Sequence, residues 1–217
     1  MSIRLLILSV LIPAIPCWSS TIYSYDDGTG GGGYLGTVSA YWFWLNAFQV
    51  VPGGETITTV QLAFHPAAPL GADVTAYVWR DPNNDGNPSD AAVVASLAGT
   101  VAGTGDVFFD FSVTPYTFSP GEWFFVGGGM WLEAYAPGPS TDFAGSGNNS
   151  WVALRSTNDP DNLGGAEHLL VRLSDVAGGV WMARAVGTPV PEPSAALLVM
   201  GGLALLWAYR RRPAKRH

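Results

Sequence analysis

The chain has 217 residues, enough for one domain between two terminal segments, and its 27 Gly and 16 Pro exclude an all-helical body. Net charge at pH 7 is -7, and between Thr21 and Thr188 sixteen acidic residues stand against four basic ones, Arg80, Arg155, Arg172 and Arg184. So anionic a body repels phosphate backbones, which excludes nucleic acid as a partner.

In chain order, MSIRLLILSVLIPAIPCWSS has a basic start at Arg4, an apolar run from Leu5 to Ile15 and then small residues suited to a peptidase. It reads as a secretory signal peptide over 1–20, cut by signal peptidase after Ser19 or Ser20. Cys17, the single cysteine, lies inside it, and Pro16 stands where a lipoprotein signal has a small residue. The exported body then has no disulfide, and its core and any bound ion must stabilise it.

Gly28-Thr29-Gly30-Gly31-Gly32-Gly33 satisfies G-x-G-x-x-G, but no long strand precedes it and no helix follows, so it reads as a linker or loop. From there to Thr188, short apolar runs are punctuated by Gly, Pro, Asn and Asp about every ten residues, the pattern of an all-β, antiparallel, jelly-roll-like sandwich over 21–188. The expected strands are Ser39 to Val50, Thr56 to His65, Asp73 to Arg80, Ala92 to Leu97, Asp106 to Val113, Glu122 to Gly127, Met130 to Ala134, Trp151 to Arg155, His168 to Leu173 and Val180 to Val186. Alternation is clearest over Val74 to Trp79, where Val74, Ala76 and Val78 share a face. Turns at Pro52-Gly53-Gly54, Ser119-Pro120-Gly121 and Ala136-Pro137-Gly138-Pro139 supply the breaks, with one helical turn near Ser89 to Ala92.

Between two of these strands, Asp81, Asn83, Asp85 and Gly86 match the first half of a D-x-N-x-D-G calcium loop, where alternate oxygens converge on the ion. Position 12 of such a loop is Ala92 here, which excludes an EF-hand. Two readings stay open: a structural Ca²⁺ held by Asp81, Asn83, Asp85 and Asp90, or Asx turns shaping a solvated connection.

Seven tryptophans fall in the body, at 42, 44, 79, 123, 131, 151 and 181. Exposed rings stack on sugar faces, and Trp42 with Trp44 on one strand face is the natural platform; core packing is the competing use of the same residues. Catalytic signals are absent: His65, His168 and His217 are scattered, and neither H-E-x-x-H nor G-x-S-x-G occurs. Glu167 and His168 are adjacent and point to opposite faces of a strand. A hydrolase would need a carboxylate pair that counting alone cannot identify.

Ser194 to Tyr209 carries no charge and as a helix covers ~24 Å, slightly short of a hydrocarbon core of ~30 Å. Trp207 and Tyr209 at the interface, and Arg210, Arg211 and Arg212 beyond it, make up the difference and keep the basic end in the cytoplasm. Val190-Pro191-Glu192-Pro193, the apolar span with Gly201-Gly202 and the Arg-rich finish together resemble the PEP-CTERM sorting signal of Gram-negative bacteria, over the last 28 residues. The resemblance implies an exosortase-like membrane enzyme as partner, and association with exopolysaccharide in biofilm or floc matrices. The expectation is therefore an exported, non-enzymatic surface or matrix protein sorted through its tail, anchored with its body outside the cytoplasm or released there. A carbohydrate-binding module is the alternative.

Overall fold

The computed structural model describes residues 19–35, 38–145, 147–165 and 169–190, with Gly202, Leu203 and Leu206 beyond them. The signal peptide up to Trp18, the sorting motif from Pro191, the expected membrane helix over 194–209 apart from those three residues, Arg210, Arg211 and Arg212 all lie outside the described residues. Among the described residues no helix is long and apolar enough to cross a membrane. The stretch from Ser19 to Val190 folds as one unit.

Thirteen strands make it up among the described residues: β1 (Thr21–Tyr23), β2 (Gly32–Leu35), β3 (Ala40–Gln49), β4 (Thr56–Ala63), β5 (Asp73–Arg80), β6 (Ala92–Thr100), β7 (Phe108–Thr117), β8 (Trp123–Leu132), β9 (Pro137–Asp142), β10 (Ser150–Arg155), β11 (Leu169–Arg172), β12 (Val180–Trp181) and β13 (Ala183–Thr188). A 3-10 turn at Pro88–Asp90 and a helical turn α1 (Leu173–Val176) interrupt them. The strands form a four-stranded sheet in the order β1-β13-β4-β7, a six-stranded sheet β11-β10-β3-β8-β5-β6 and a three-stranded sheet β12-β9-β2. All pairings are antiparallel, as the alternation requires.

β3 explains how the layers pack. Its sequence AYWFWLNAFQ is apolar on both faces, and a strand reads that way when both faces are covered. Trp42, Trp44 and Phe48 meet Val60 and Leu62 of β4, Phe111 and Val113 of β7 and Ala183 of β13, so the four- and six-stranded sheets share this core. Phe43, Leu45 and Ala47 point the other way, into a second cluster with Tyr77, Trp79, Phe125, Ala153 and Leu163. Leu163 belongs to the stretch after β10, which lies over the outer face of the six-stranded sheet.

Three differences from the sequence-based strands have physical causes. Gly127, Gly128 and Gly129 suggest a break between two strands, yet β8 runs straight through them. A Cβ at Gly127 would come within 1.8 Å of the Trp44 carbonyl oxygen, and one at Gly128 within 2.5 Å of the Trp44 ring, so the glycines let β8 close on β3. The last expected strand, over Val180 to Val186, splits at Met182, where the chain leaves the three-stranded sheet and joins the four-stranded one. Buried Asn46 bonds both sides of that switch: its Nδ2 donates to the Trp181 and Ala183 carbonyls at 2.8 and 2.9 Å, and its Oδ1 accepts from the Ser150 hydroxyl at 2.6 Å.

The third difference is the appearance of β1, β2 and β9, which lie in stretches that read as leader boundary, linker and turn. Gly31 N–H donates to the Thr141 carbonyl, and Gly30 passes so close to the Asp106 carboxylate that a Cβ there would overlap it. Pro137 falls at the register shift between Gly33 and Leu35, one of the few sheet positions where a missing donor is tolerated. The glycine run is therefore strand and close contact rather than free linker. Asp26, buried, pairs with Arg184 of β13, whose guanidinium also lies over the Phe108 ring at 3.9 Å.

Candidate functional site

The outer face of the six-stranded sheet is covered from its β10 side and left open at the far end of β8. There a groove of about 480 Å³ is lined by Tyr41, Asp73, Thr75, Trp131 and Asn158, with Ala72, Val74, Ala98 and Gly99 completing it. That volume lies within the range of small-ligand sites.

The sheet register brings these residues together. Tyr41 of β3 stands opposite Trp131 of β8, and Thr75 of β5 stands opposite Gly129, two residues earlier on the same face. Asp73 precedes Thr75 by the two-residue period that keeps side chains on one face. Thr75 pairs in turn with Ala98 of β6, so the groove crosses four strands.

Trp131 is 47% exposed, the most exposed of the described tryptophans. Its indole N–H donates to Glu133 Oε1 at 2.9 Å, while Glu133 Oε2 accepts from the Ser39 hydroxyl at 2.7 Å. These two bonds, Trp131 first, hold the Glu133 carboxyl below its ordinary range, which means the ionised form is the one that orients the ring. An exposed indole fixed by a neighbour presents a preformed flat surface.

The opposite wall is Asn158, from the stretch that covers the second core cluster. Arg155 pins this stretch from beneath. Its side chain is buried, and its Nη2 donates to the carbonyls of Asp161 and Asn162 at 2.6 Å each, while Nη1 lies 3.0 Å from Asp159. Trp79 adds a bond from its indole N–H to the Pro160 carbonyl at 2.8 Å, and the Val93 N–H donates to Asp161 at 2.7 Å. The Tyr77 hydroxyl donates to Asn158 Oδ1 at 3.3 Å. Burial pushes the Tyr41 and Tyr77 hydroxyls up, with the charges of Asp73 and Asp161 adding to the rise at Tyr41 and Tyr77 respectively, while side-chain hydrogen bonds with Thr75 and Asn158 draw both back, so both hydroxyls stay protonated at physiological pH.

The expected platform of Trp42 and Trp44 is not a surface. Both are buried, at 1% and 0%, between the sheets. Tyr41, on the opposite face of the same strand, does reach the groove. The signal for Trp131 was its place at a strand end with Glu133 two residues on, hence on the same face, where a carboxylate can take the indole N–H.

Asp81, Asn83, Asp85 and Asp90 stand in one connection between β5 and β6. Asp81 accepts from the N–H groups of Asn84 and Gly86 at 3.0 and 2.7 Å, Asn83 Oδ1 from Asp85 N–H at 3.1 Å, and Asp85 from Asn87 N–H at 2.7 Å. The oxygens of Asp81, Asn83 and Asp85 thus serve the loop's own backbone, while Asp90 Oδ1 is buried with no hydrogen-bond partner among the described residues. Among the described residues no group of three or more His, Cys, Asp or Glu side chains is placed to hold a metal ion. Burial pushes the Asp81 carboxyl up, the backbone bonds pull it down, and the neighbouring charges of Asp85 and Asp90 push it further up. A second, smaller hollow of about 150 Å³ lies beside this loop, between Arg80, Tyr116 and Trp123.

No protein-family model and no curated protein matches the sequence. Among solved structures, the chain is similar to a variant of the clostridial cysteine protease Cwp84 after propeptide cleavage, with TM-score 0.54 and 12% identity, over 79% of this chain and 40% of that one. It is also similar to a structure of the cysteine protease and lectin-like domains of Cwp84, a surface layer associated protein of Clostridium difficile, with TM-score 0.51 and 12% identity, over 79% of this chain and 36% of that one. The likeness is one of fold.

It corrects the expectation drawn from the tail. An exopolysaccharide-associated matrix protein is not what the likeness of fold points to. The fold is shared with a surface layer associated protease that carries lectin-like domains, and the chain spans well under half of either neighbour's length.

Proposed function

We propose that residues 21–188 form a lectin-like, jelly-roll-like sandwich that binds a saccharide in the Trp131 groove, on the outer side of the cytoplasmic membrane. The observation that carries this is the exposed Trp131 ring, locked by Glu133 and faced by the Asp73 carboxylate, the Thr75 hydroxyl and the Asn158 amide. Sugars offer the complementary set, an apolar ring face edged by hydroxyls. The description of one neighbour as a surface layer associated protein with lectin-like domains supports both the binding role and the extracellular side.

Binding is favoured over hydrolysis because Asp73 is the one carboxylate among the groove's lining residues, whereas glycosidases flank the bond with two. That the terminal segment is a PEP-CTERM-like address, handled by signal peptidase and an exosortase-like enzyme, is a separate proposal about transport. It carries no weight in this reading of the body.

The test is titration of the full chain with soluble oligosaccharides, followed by tryptophan fluorescence. A buried Trp side chain removes up to ~250 Å² from water, so covering half of the exposed part of Trp131 is worth about 1.5 kcal/mol at ~25 cal/mol per Å². Trp131→Ala is expected to weaken binding about tenfold with an unchanged melting temperature. Undiminished binding in that variant, or no binding by any saccharide in the wild type, refutes the assignment.

A further inference from the structure

Charge decides which saccharides the groove accepts. Asp73 is exposed at the start of β5, and among the described residues its carboxylate has no hydrogen-bond or ion-pair partner within the protein. No Lys or Arg lines the groove. The body's four cations are committed elsewhere: Arg155 is buried under the covering stretch, Arg184 is paired with Asp26, Arg172 lies over the Trp151 ring at 4.9 Å, and Arg80 lines the other hollow. A uronic acid placed on Trp131 would therefore face a like charge with nothing to offset it, inside a body that is itself strongly anionic.

We infer that the groove takes an amino sugar, its protonated amine against the Asp73 carboxylate and its ring on the Trp131 face. The inference rests on the groove being a saccharide site and narrows it to one chemical class. Asp73 supplies the charge, and the faces of Tyr41 and Trp131 add the attraction of aromatic rings for a cation. Thr75 and Asn158, which also bond the tyrosine hydroxyls, offer their remaining hydrogen-bonding capacity to the sugar hydroxyls. The geometry thus selects by sign of charge, with an uncharged hexose intermediate and a uronate disfavoured.

The experiment compares three tetramers on the full chain: β-1,4-linked glucosamine, β-1,4-linked glucose and α-1,4-linked galacturonate. It is run at low salt and about pH 5.5, above the ordinary carboxylate range and below that of an alkylammonium. An exposed ion pair supports a preference of about three- to fivefold, so glucosamine should bind about that much more tightly than glucose, and galacturonate more weakly than either. Asp73→Asn should bring glucosamine and glucose to parity, whatever the absolute affinities, and salt should erode the wild-type preference. Equal binding of glucosamine and glucose in the wild type, galacturonate binding as tightly as glucose, or a preference surviving Asp73→Asn overturns the amino-sugar inference and leaves the groove a saccharide site. Failure of all three tetramers to quench Trp131 removes the saccharide site, and this inference with it.

Discussion

Replacing Arg155 by Met tests whether one guanidinium holds the wall of the groove. Met keeps most of the apolar stem and removes the charge. Two hydrogen bonds from a charged donor are lost, each worth about 1.5–3 kcal/mol. The pair with Asp159 adds under ~1 kcal/mol, because the Asp159 side chain is 60% exposed and water screens it. Against this, the variant no longer buries a guanidinium, which offsets a few kcal/mol of the loss. The net expectation is about 2–4 kcal/mol, a large share of an ordinary domain's ~5–15 kcal/mol. The loss should appear first as local opening of residues 156–165, since the covered sheet has its own ladders to hold it. Urea unfolding gives the global figure and amide hydrogen exchange the local one, and saccharide affinity should fall as Asn158 loses its place. A variant that unfolds within ~0.5 kcal/mol of the wild type, with unchanged exchange at Val93 and Gly164, would show that the loop does not depend on Arg155.

Asn46→Ala should destabilise by about 3–5 kcal/mol in urea, because it removes three buried hydrogen bonds at the point where the chain changes sheets and leaves a cavity. Gly128→Ala, whose Cβ would press on the buried Trp44 ring, should cost about 1–3 kcal/mol in the same assay. Glu133 sits below its usual range when folded, so its bond to Trp131 is fully formed above the ordinary glutamate value. That bond is lost as pH falls through the depressed one, and Trp131 emission and saccharide affinity should both drop there, with Glu133→Gln insensitive over the same interval. Asp81→Ala removes two backbone-bonded oxygens and should lower stability by about 1–3 kcal/mol. Asx turns need no ion, so chelator should not change the melting temperature of the wild type, and a rise with millimolar Ca²⁺ would make the loop a cation site.

The sheets were legible wherever the alternation was strong and uninterrupted. β5 has the bounds the sequence suggests, and the 3-10 turn falls at Pro88–Asp90, next to the residues expected. Legibility failed where glycine and proline carried two meanings. Gly127 to Gly129 have the composition of a turn, and only contact with Trp44 makes them strand interior. Pro137 and Pro139 likewise read as a turn, and their tolerance in β9 depends on a register shift that no local pattern reveals.

The site was less legible for a related reason. A strand's period of two says which residues share a face but not which face meets water, and β3 is apolar on both. The choice between Trp42 with Trp44 and Tyr41 with Phe43 depended on the stretch after Arg155, whose Asn, Asp and Pro residues look like a solvated loop. That stretch instead buries Leu163 and covers Phe43 and Trp79. It also carries Asn158, so the same loop that hides most of the outer face also bounds the part left open. Surface and groove are therefore set by one polar segment and the single guanidinium beneath it. Changes in its length or anchoring should then move the edge of the binding surface before they affect the sandwich itself.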